Sequence, residues 1–313
     1  MNKLIVSSSP HIKTKDDTPR LMLDVVIALL PAVIAGAIIY GIRALLVVFT
    51  CVLTSVVCEF LFNLIVKKEQ TVFDFSAVIT GLILGLSLHA NAPVWQCVIG
   101  SAFAIIVVKC LFGGLGCNFA NPAATGRVFL LICFSSTLAG GVAPKLAYEP
   151  DLVAGATPLA QLAGGEDIPN IVDMLLGTRG GSIGESCIIA LVIGFIYLVI
   201  RKVINFEVPL IMIATVFLLS FIVSGDVNMA LYQVLAGGLV FGAVFMATDY
   251  VTTPITRVGK MIFAFGAGLI TFLIRFYGNY PEGVSFAILF MNILSPYIEG
   301  WTKPKSLRKR GNK

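Results

Sequence analysis

The chain alternates between long apolar runs and short polar breaks. Uncharged runs such as residues 25–42, 208–225 and 227–248 are long enough, or nearly so, to cross about 30 Å of hydrocarbon at about 1.5 Å per residue. Because these runs are continuously apolar instead of alternating at every second residue, they argue against a β-barrel. The pattern therefore predicts an all-α polytopic membrane protein.

Polar breaks divide the chain into ten predicted spans, at residues 21–41, 43–66, 71–89, 94–112, 122–139, 185–202, 208–224, 230–248, 258–277 and 282–301. These spans form two blocks of five, residues 21–139 and 185–301. An N-terminal tail (residues 1–20) precedes the first block, a long segment (140–184) separates the blocks, and a basic tail (302–313) follows the second.

Composition supports a membrane location, and charge predicts the orientation. With 58% apolar and 12% charged residues, against about 25% charged in soluble domains, the sequence is unlike that of a soluble protein, and its mean hydropathy is +0.95. If both termini are cytoplasmic, 18 of the 22 Lys and Arg residues fall on the cytoplasmic side, and only Arg43, Lys145, Arg179 and Arg275 fall outside. We therefore expect residues 140–184 to face outside.

The polar ends and the cysteines exclude several other classes. Residues 1–20 lack the apolar core of a cleavable signal peptide, so we expect this tail to be retained. The basic C-terminal tail is typical of an anchor for lipid headgroups, and the modest net charge of +5 does not favour nucleic acid as a partner. Seven cysteines without a CxxC pair indicate neither a disulfide framework nor a metal site.

A weak internal repeat relates the two blocks. The stretch "GLILGLSLHANAP" from Gly81 resembles "GLVFGAVFMATDY" from Gly238, and Asn121–Pro122 resembles Tyr280–Pro281. Because five is an odd number of spans, the two halves would cross the membrane in opposite senses, as an inverted repeat of five plus five. Such repeats often place a binding site between the halves. Alternatively, Gly-xxx-Gly pairs recur in any bundle because they let helices approach closely.

Ionisable residues within or near the spans form one set of candidate functional residues. They are Asp24, Glu59, Asp74, Lys109, Arg127, Glu185, Asp249 and Glu299. An unpaired charge at the centre of a span costs roughly 2.5–3.5 kcal/mol, so such residues are usually paired or line a polar path. Glu59 and Asp249 are candidates for an ion path, because oxygen ligands suit a hard cation. Alternatively, Glu59 pairs with a basic residue and Asp249 caps a turn.

A polar cluster follows a glycine-rich turn before the fifth span. Asn118, Asn121, Thr125 and Arg127 come after three glycines within residues 113–116. Such a turn followed by amide, hydroxyl and guanidinium groups could hold a polar ring edge or a phosphate at a helix N-terminus. The spacing matches neither a P-loop nor a dinucleotide fingerprint, and helix entry and packing are the alternative explanation.

The segment between the blocks contains a loop of small residues. Residues 151–167 read "DLVAGATPLAQLAGGED". Gly155 and Ala156 leave the backbone beside Thr157 uncovered, and Pro158 biases Thr157 toward an extended conformation. A bulky group could therefore reach the Thr157 hydroxyl.

This loop also resembles a known modification motif. Residues 151–157 resemble the flavinylation motif Asp-x-x-Ser/Thr-Gly-Ala-Thr, in which a flavin transferase joins the phosphate of FMN to the last threonine as a phosphoester. Asp151, Gly155, Ala156 and Thr157 match this motif, whereas Ala154 stands where Ser or Thr is usual. The resemblance implies covalent FMN on Thr157.

Other segments extend the resemblance over most of the chain. They are "SSPHIKTKDDTPRLMLDVVIALLPA", "FGGLGCNFANPAATGRVFLL", "FMATDYVTTPIT" and "YPEGVSFAILFMNILSPYIE". Together they resemble the D subunits of Rnf complexes, membrane-bound ion-translocating oxidoreductases that pass electrons between ferredoxin and NAD. The B subunits of sodium-pumping NADH:quinone reductases are a related family with a longer N-terminal tail, whereas only about 20 residues precede the first span here.

The resemblance implies a fold, a location and partners. The fold would be that of urea and ammonium channels, with inverted five-helix repeats in the bacterial inner membrane. The chain would carry flavin in electron transport coupled to Na⁺ or H⁺ transport, with no catalytic residue of its own. A second, non-covalent flavin of the riboflavin type would lie near the Asn118 cluster. Partners would be the A, B, C, E and G subunits of an Rnf complex, and a flavin transferase. An autonomous small-solute channel of the same fold is the alternative.

Overall fold

The computed structural model describes residues 17–138, 141–142, 154–155, 159, 170–177, 180–278 and 282–303, which are predominantly helical. The helices are α1 (Thr18–Tyr40), α2 (Ile42–Val66), α3 (Ser76–Ser87), α4 (Val94–Ala102), α5 (Pro122–Cys133), α6 (Ser135–Leu138), α7 (Ile171–Leu176), α8 (Ile188–Ile200), α9 (Glu207–Ser224), α10 (Val227–Leu235), α11 (Leu239–Phe241), α12 (Arg257–Tyr277) and α13 (Val284–Thr302). A 3₁₀ turn covers Val72–Asp74, and π-helices extend α4 over Phe103–Cys110 and α11 over Gly242–Met246. The prediction of a mainly helical protein is thus confirmed for these residues.

A short strand pair was not predicted from the sequence. Strands β1 (Gly141–Val142) and β2 (Ala154–Gly155) pair antiparallel, with Gly141 opposite Gly155. Two residues on each strand are too few to leave an alternating pattern in the sequence. This pair belongs to the segment between the two blocks.

Within the described residues, five helices are long and apolar enough to cross a membrane, namely α1, α2, α9, α12 and α13. A sixth candidate is the pair formed by α10 and the α11–π-helix unit, which is bent by 61°. The remaining apolar helices, including Ser76–Ser87, Pro122–Cys133 and Ile188–Ile200, are shorter. A helix of 12 residues rises about 18 Å, well short of the hydrocarbon thickness. A multi-pass protein is therefore supported, with five or six span candidates in place of the ten predicted spans, each of which overlaps a helix.

The third predicted span, residues 71–89, shows why some helices are shorter than expected. Phe75 adopts a left-handed backbone (φ 59°), so α3 begins only at Ser76. Leu88 is extended (ψ 160°) and ends the helix. Leu88 is nevertheless fully buried. An extended residue that is buried inside a bundle is as apolar as a helical one, so hydropathy assigned Leu88 to the span.

Helices α1 and α8 pack antiparallel along their length. Near the start of α1, Asp24 accepts hydrogen bonds from Tyr197 (2.8 Å) and Arg201 (3.0 Å), close to the end of α8. Farther along α1, the carbonyl of Ala28 lies so close to Gly194 that a Cβ on this glycine would overlap it. The first helix of one block therefore runs opposite to the first helix of the other block.

Helices α5 and α13 form a second antiparallel pair. Arg127 in α5 makes a salt bridge of 3.1 Å with Glu282, just before α13. Asn121, at the start of α5, lies beside Asn292, which is well inside α13. In the orientation that satisfies both groups of the Asn292 amide, its oxygen accepts a hydrogen bond from the Asn121 backbone N–H (3.0 Å). The fifth helices of the two blocks therefore also run in opposite directions.

Both glycine pairs noted in the sequence serve close packing. A Cβ on Gly81 would lie 2.6 Å from Val52 Cα, and one on Gly85 would lie 2.9 Å from Val48 Cα, so α3 rests on the backbone of α2. In the second block, Gly238 approaches the side chain of Glu185 and Gly242 approaches that of Val284. Close approach of two helices therefore explains the glycine pair of α3, and in the second block the two glycines make room for side chains of neighbouring segments.

Candidate functional site

A cavity of about 90 Å³ lies between helices of both blocks. Apolar side chains from α1, α3, α8 and the π-helix after α11 form most of its wall, including Leu21, Val25, Ile79, Ile83, Leu198 and Phe245. Its polar lining consists of Ser76, Thr80, Lys109, Asn118, Asn121, Thr248, Asp249 and Tyr250. An apolar cavity with a few polar groups is the usual form of a cofactor or small-molecule site.

The glycine-rich turn brings Asn118 and Asn121 to this cavity. Gly113, Gly114 and Gly116 all have positive φ, between 90° and 124°, which residues with a Cβ rarely adopt. The chain therefore turns sharply after the π-helix and returns to begin α5. Asn118 Oδ1 is buried there and has no hydrogen-bond partner among the described residues. An orphaned buried acceptor lining a cavity favours a ligand that donates a hydrogen bond to it.

Asn121 has a structural role in addition to its place in the cavity wall. Its Oδ1 accepts from the N–H groups of Ala123 (3.0 Å) and Ala124 (3.2 Å), which caps the N-terminus of α5. Its amide nitrogen donates to the carbonyl of Met246 (3.2 Å) at the end of the π-helix in the other block. Asn121 therefore joins the two blocks beside the cavity.

Asp249 lies just beyond that π-helix and outside the helices. It accepts hydrogen bonds from the Val251 N–H (3.3 Å) and the Thr252 hydroxyl (3.1 Å), and so caps the turn that follows. Loss of water around its carboxylate raises the pKa of Asp249, while these two hydrogen bonds act in the opposite direction. No basic side chain in the described parts of the chain makes an ion pair with Asp249.

Glu59 forms a buried ion pair. Its Oε1 accepts from Lys109 Nζ (2.7 Å) and from the Thr71 hydroxyl (2.7 Å), and Lys109 also donates to the Ser76 hydroxyl (2.8 Å). The side chains of Lys109 and Glu59 are 1% and 2% exposed. Lys109 lines the cavity, so Glu59 reaches the cavity only through its partner.

Two members of the predicted Asn118 cluster lie elsewhere. The Thr125 hydroxyl donates to the carbonyl of Asn121 (2.8 Å), one turn back in the same helix. Arg127 is buried and pairs with Glu282, and its Nη1 has no partner among the described residues. Neither residue lines the cavity, which therefore brings together Asn118, Asn121 and Asp249 but not Thr125 or Arg127.

The predicted flavin attachment site falls partly outside the described residues. Asp151, Ala156 and Thr157 lie outside them, whereas Gly155 lies in β2. Two residues beyond Thr157, Leu159 is 4% exposed and packs with Met174 and Ala236. Described residues on both sides of Thr157 thus have defined contacts.

A family model provides the decisive comparison. The model of the NQR2, RnfD, RnfE family matches residues 5–308. The chain belongs to this family. Among its relatives, a protein of Acetobacterium woodii is 44% identical, with 96% of this chain and 94% of the relative covered, and is named as the D subunit of a Na⁺-translocating ferredoxin:NAD⁺ oxidoreductase complex.

Two further relatives are named in similar terms. A protein of Clostridium ljungdahlii, named as the D subunit of a proton-translocating ferredoxin:NAD⁺ oxidoreductase complex, is 40% identical over 97% of this chain and 96% of the relative. One of Mannheimia succiniciproducens, named as the D subunit of an ion-translocating oxidoreductase complex, is 33% identical over 96% of each chain. The family resemblance inferred from the sequence motifs is therefore confirmed.

In this family member, several residues that shape the site were missed in the sequence. Thr71 and Ser76 complete the Glu59–Lys109 pair, Glu282 holds Arg127, and Asn292 contacts Asn121. Each contact joins residues far apart in the chain or across a turn. The sequence indicated only that a charged residue within an apolar run needs a partner. The spacing of residues along the chain does not identify which residue that partner is.

The buried Glu59–Lys109 pair gives a stability prediction. Lys109→Met leaves the Glu59 carboxylate without a cation in apolar surroundings, so we expect it to destabilise the protein by about 3–5 kcal/mol. The double variant Glu59→Leu/Lys109→Met removes both charges and should recover most of this loss. Thermal unfolding of the purified protein in detergent measures both variants.

Lys303→Met is the matched control, because it breaks the exposed Lys303–Glu299 pair (3.4 Å) and should hardly change the unfolding midpoint. Equal loss in the single and double variants would show that the lysine stabilises the bundle by packing and not by charge.

Proposed function

We propose that this chain is a flavin-carrying membrane subunit of an Rnf-type complex, which couples electron transfer between ferredoxin and NAD to ion transport. The main support is the 44% identity over 96% of the chain with a relative named as the D subunit of such a complex. The chain acts as one subunit of an oxidoreductase and is not catalytically complete alone. Relatives named for Na⁺ and for protons are about equally similar, at 44% and 40%, so both ions stay open.

The proposal includes a location and partners. The chain lies in the bacterial inner membrane with both termini in the cytoplasm, in keeping with the distribution of Lys and Arg. It assembles with the A, B, C, E and G subunits, and a flavin transferase modifies it. Two alternatives are a B-type subunit of a sodium-pumping NADH:quinone reductase and an autonomous channel. An autonomous channel would carry no covalent flavin.

The fold is proposed to be an inverted repeat of five plus five helices, as in urea and ammonium channels. Counterpart helices pack against each other, α1 with α8 and α5 with α13, and each pair is antiparallel, which is the arrangement that an inverted repeat requires. An experimental structure in which α1 and α8 run parallel would contradict it. In this arrangement each of the short helices α3, α5 and α8 crosses the membrane together with the turns and extended segments next to it.

The flavin attachment gives the sharpest test. FMN supplies one- and two-electron redox chemistry when bound, and Thr157 serves as its anchor on the external face. We expect Thr157→Ala to abolish fluorescence of the protein band in a denaturing gel while the protein still inserts, because a single loop hydroxyl contributes little to bundle stability. Electron flow from ferredoxin to NAD in membrane vesicles should fall sharply.

Thr157→Ser is the matched control, since it keeps a hydroxyl and should retain some attachment of FMN.

The external location of the attached flavin has its own test. Iodide added outside right-side-out vesicles should quench the flavin fluorescence of the protein with the original sequence. An unmodified peptide spanning Thr157, from protein made with an active transferase and flavin, would refute the attachment.

The cavity is proposed to hold the second, non-covalent flavin. Its apolar walls suit an isoalloxazine ring, and the orphaned Asn118 Oδ1 suits a donor such as a flavin ring N–H. We expect Asn118→Leu to lower the flavin retained after removal of the covalent fraction about tenfold, because the polar partner is lost and the larger side chain fills the cavity. Acid extraction and chromatography measure it.

Thr125→Val is the control for this cavity, since Thr125 lies close by in the chain but does not line the cavity. Equal loss of flavin in both variants would point to damage of α5. Unchanged retention in Asn118→Leu would remove the second flavin from this cavity.

Glu59 and Asp249 are proposed to lie on the ion path. Asp249 lines the cavity without an ion-paired partner among the described residues, and Glu59 is joined to the same cavity by Lys109. We expect Asp249→Asn to lower the number of ions moved per electron several-fold, and to lower ion transport more than flavin content, because it removes the anionic ligand. Ion uptake and NADH formation in vesicles give the ratio, and an unchanged ratio in both Asp249→Asn and Glu59→Gln would exclude these residues.

A further inference from the structure

A second groove, of about 110 Å³, lies where α8 ends and where α9 and α12 begin. Its polar lining comprises Lys202, Asn205, Thr248, Tyr250, Thr253 and Lys260. The distribution of Lys and Arg along the chain assigns this end of the bundle to the cytoplasmic side. None of the functions proposed above uses this groove.

The groove carries two positive charges that the described residues do not neutralise. No carboxylate in the described part of the chain lies within ion-pair distance of Lys202 or Lys260. The neighbouring arginines differ, since Arg201 pairs with Asp24 (3.0 Å) and Arg257 pairs with Glu207. Lys260 also lies near the Glu207 carboxylate, but Arg257 already binds that group through Nε (3.0 Å) and Nη2. The charge of the groove therefore favours an anion.

The surroundings of the groove are apolar and exposed. Phe206 and Leu210 near the start of α9 are 52% and 51% exposed, and Ile255 and Val258 near the start of α12 are 77% and 59% exposed. Each of these large apolar side chains lies within two positions of a residue that lines the groove, so an amphipathic ligand could use both kinds of surface. A free inorganic anion would use the lysines alone and leave these side chains uncovered.

We propose that this groove binds one anionic phospholipid of the cytoplasmic leaflet. Its phosphodiester lies between Lys202 and Lys260, and its acyl chains lie along the exposed faces of α9 and α12. Basic pockets between membrane helices on the cytoplasmic side are suited to such headgroups. Val203, Ile204, Thr248 and Tyr250 line both this groove and the cavity, so the lipid covers the bundle directly beside the cavity wall.

The test is binding of phosphatidylglycerol to the purified full-length chain, measured by native mass spectrometry at increasing lipid concentration. We expect one phosphatidylglycerol to be retained per chain, and phosphatidylcholine to be retained much less. Lys202→Gln/Lys260→Gln should weaken phosphatidylglycerol binding about tenfold or more, from the loss of two headgroup contacts. Lys202→Arg/Lys260→Arg keeps both positive charges and should retain phosphatidylglycerol binding. Retained binding in this variant shows that the loss in the glutamine variant comes from the missing charges and not from misfolding.

Lys67→Gln/Lys68→Gln is the matched control. It removes the same charge from the same predicted side, both lysines are exposed, and Lys67 has the same left-handed backbone (φ 58°) as Lys202 (φ 57°). It should leave phosphatidylglycerol binding unchanged. Equal weakening by both double variants, equal binding of phosphatidylcholine, or displacement of the lipid by inorganic phosphate at millimolar concentration would each overturn the proposal.

Discussion

The structure depends on one constraint, which is that buried backbone groups in an apolar bundle must find partners within the protein. Several helices end inside the bundle, and side chains from other elements satisfy their ends. Arg275 in α12 donates to the carbonyls of Gln233 and Ala236, where α10 stops. Asn121 donates to the carbonyl of Met246, where the π-helix stops. Broken helices are therefore stable here because polar side chains replace the hydrogen bonds that the breaks remove.

The same breaks create the candidate site. A continuous helix fills its own cross-section with backbone, whereas a helix that stops leaves space and exposes polar groups at its end. The cavity lies where this happens in both blocks, beside the start of α5 and just after the second π-helix. Asn118, Asn121 and Asp249 all line this cavity, although Asn118 and Asp249 are 131 positions apart in the chain. Polar chemistry inside this bundle is thus confined to places where the backbone departs from a regular helix.

The sequence predicted the positions of the apolar segments well because hydropathy records burial in lipid or in the bundle. It predicted helix lengths less well, because a buried extended residue such as Leu88 is as apolar as a residue in a helix. The grouping of Asn118 with Arg127 rested on closeness along the chain. In the structure Arg127 lies six positions, or about 1.7 turns, beyond the cap of α5, and it pairs with Glu282 and does not line the cavity. Contacts between distant residues, including that of Glu59 with Lys109, need the fold to be known.

The bent unit of α10 and α11 touches both regions proposed to hold flavin. At its break, Gly237 has a left-handed backbone (φ 66°), and a Cβ there would lie 2.5 Å from Leu159 Cδ1, so the break fits closely around a residue two positions from Thr157. At its far end, Met246 accepts the hydrogen bond of Asn121 in the cavity wall. One short, buried element therefore links the segment that carries Thr157 to the cavity. Because a close-packed interior has little free space and transmits strain, a displacement at one end of this element would disturb its contacts at the other end.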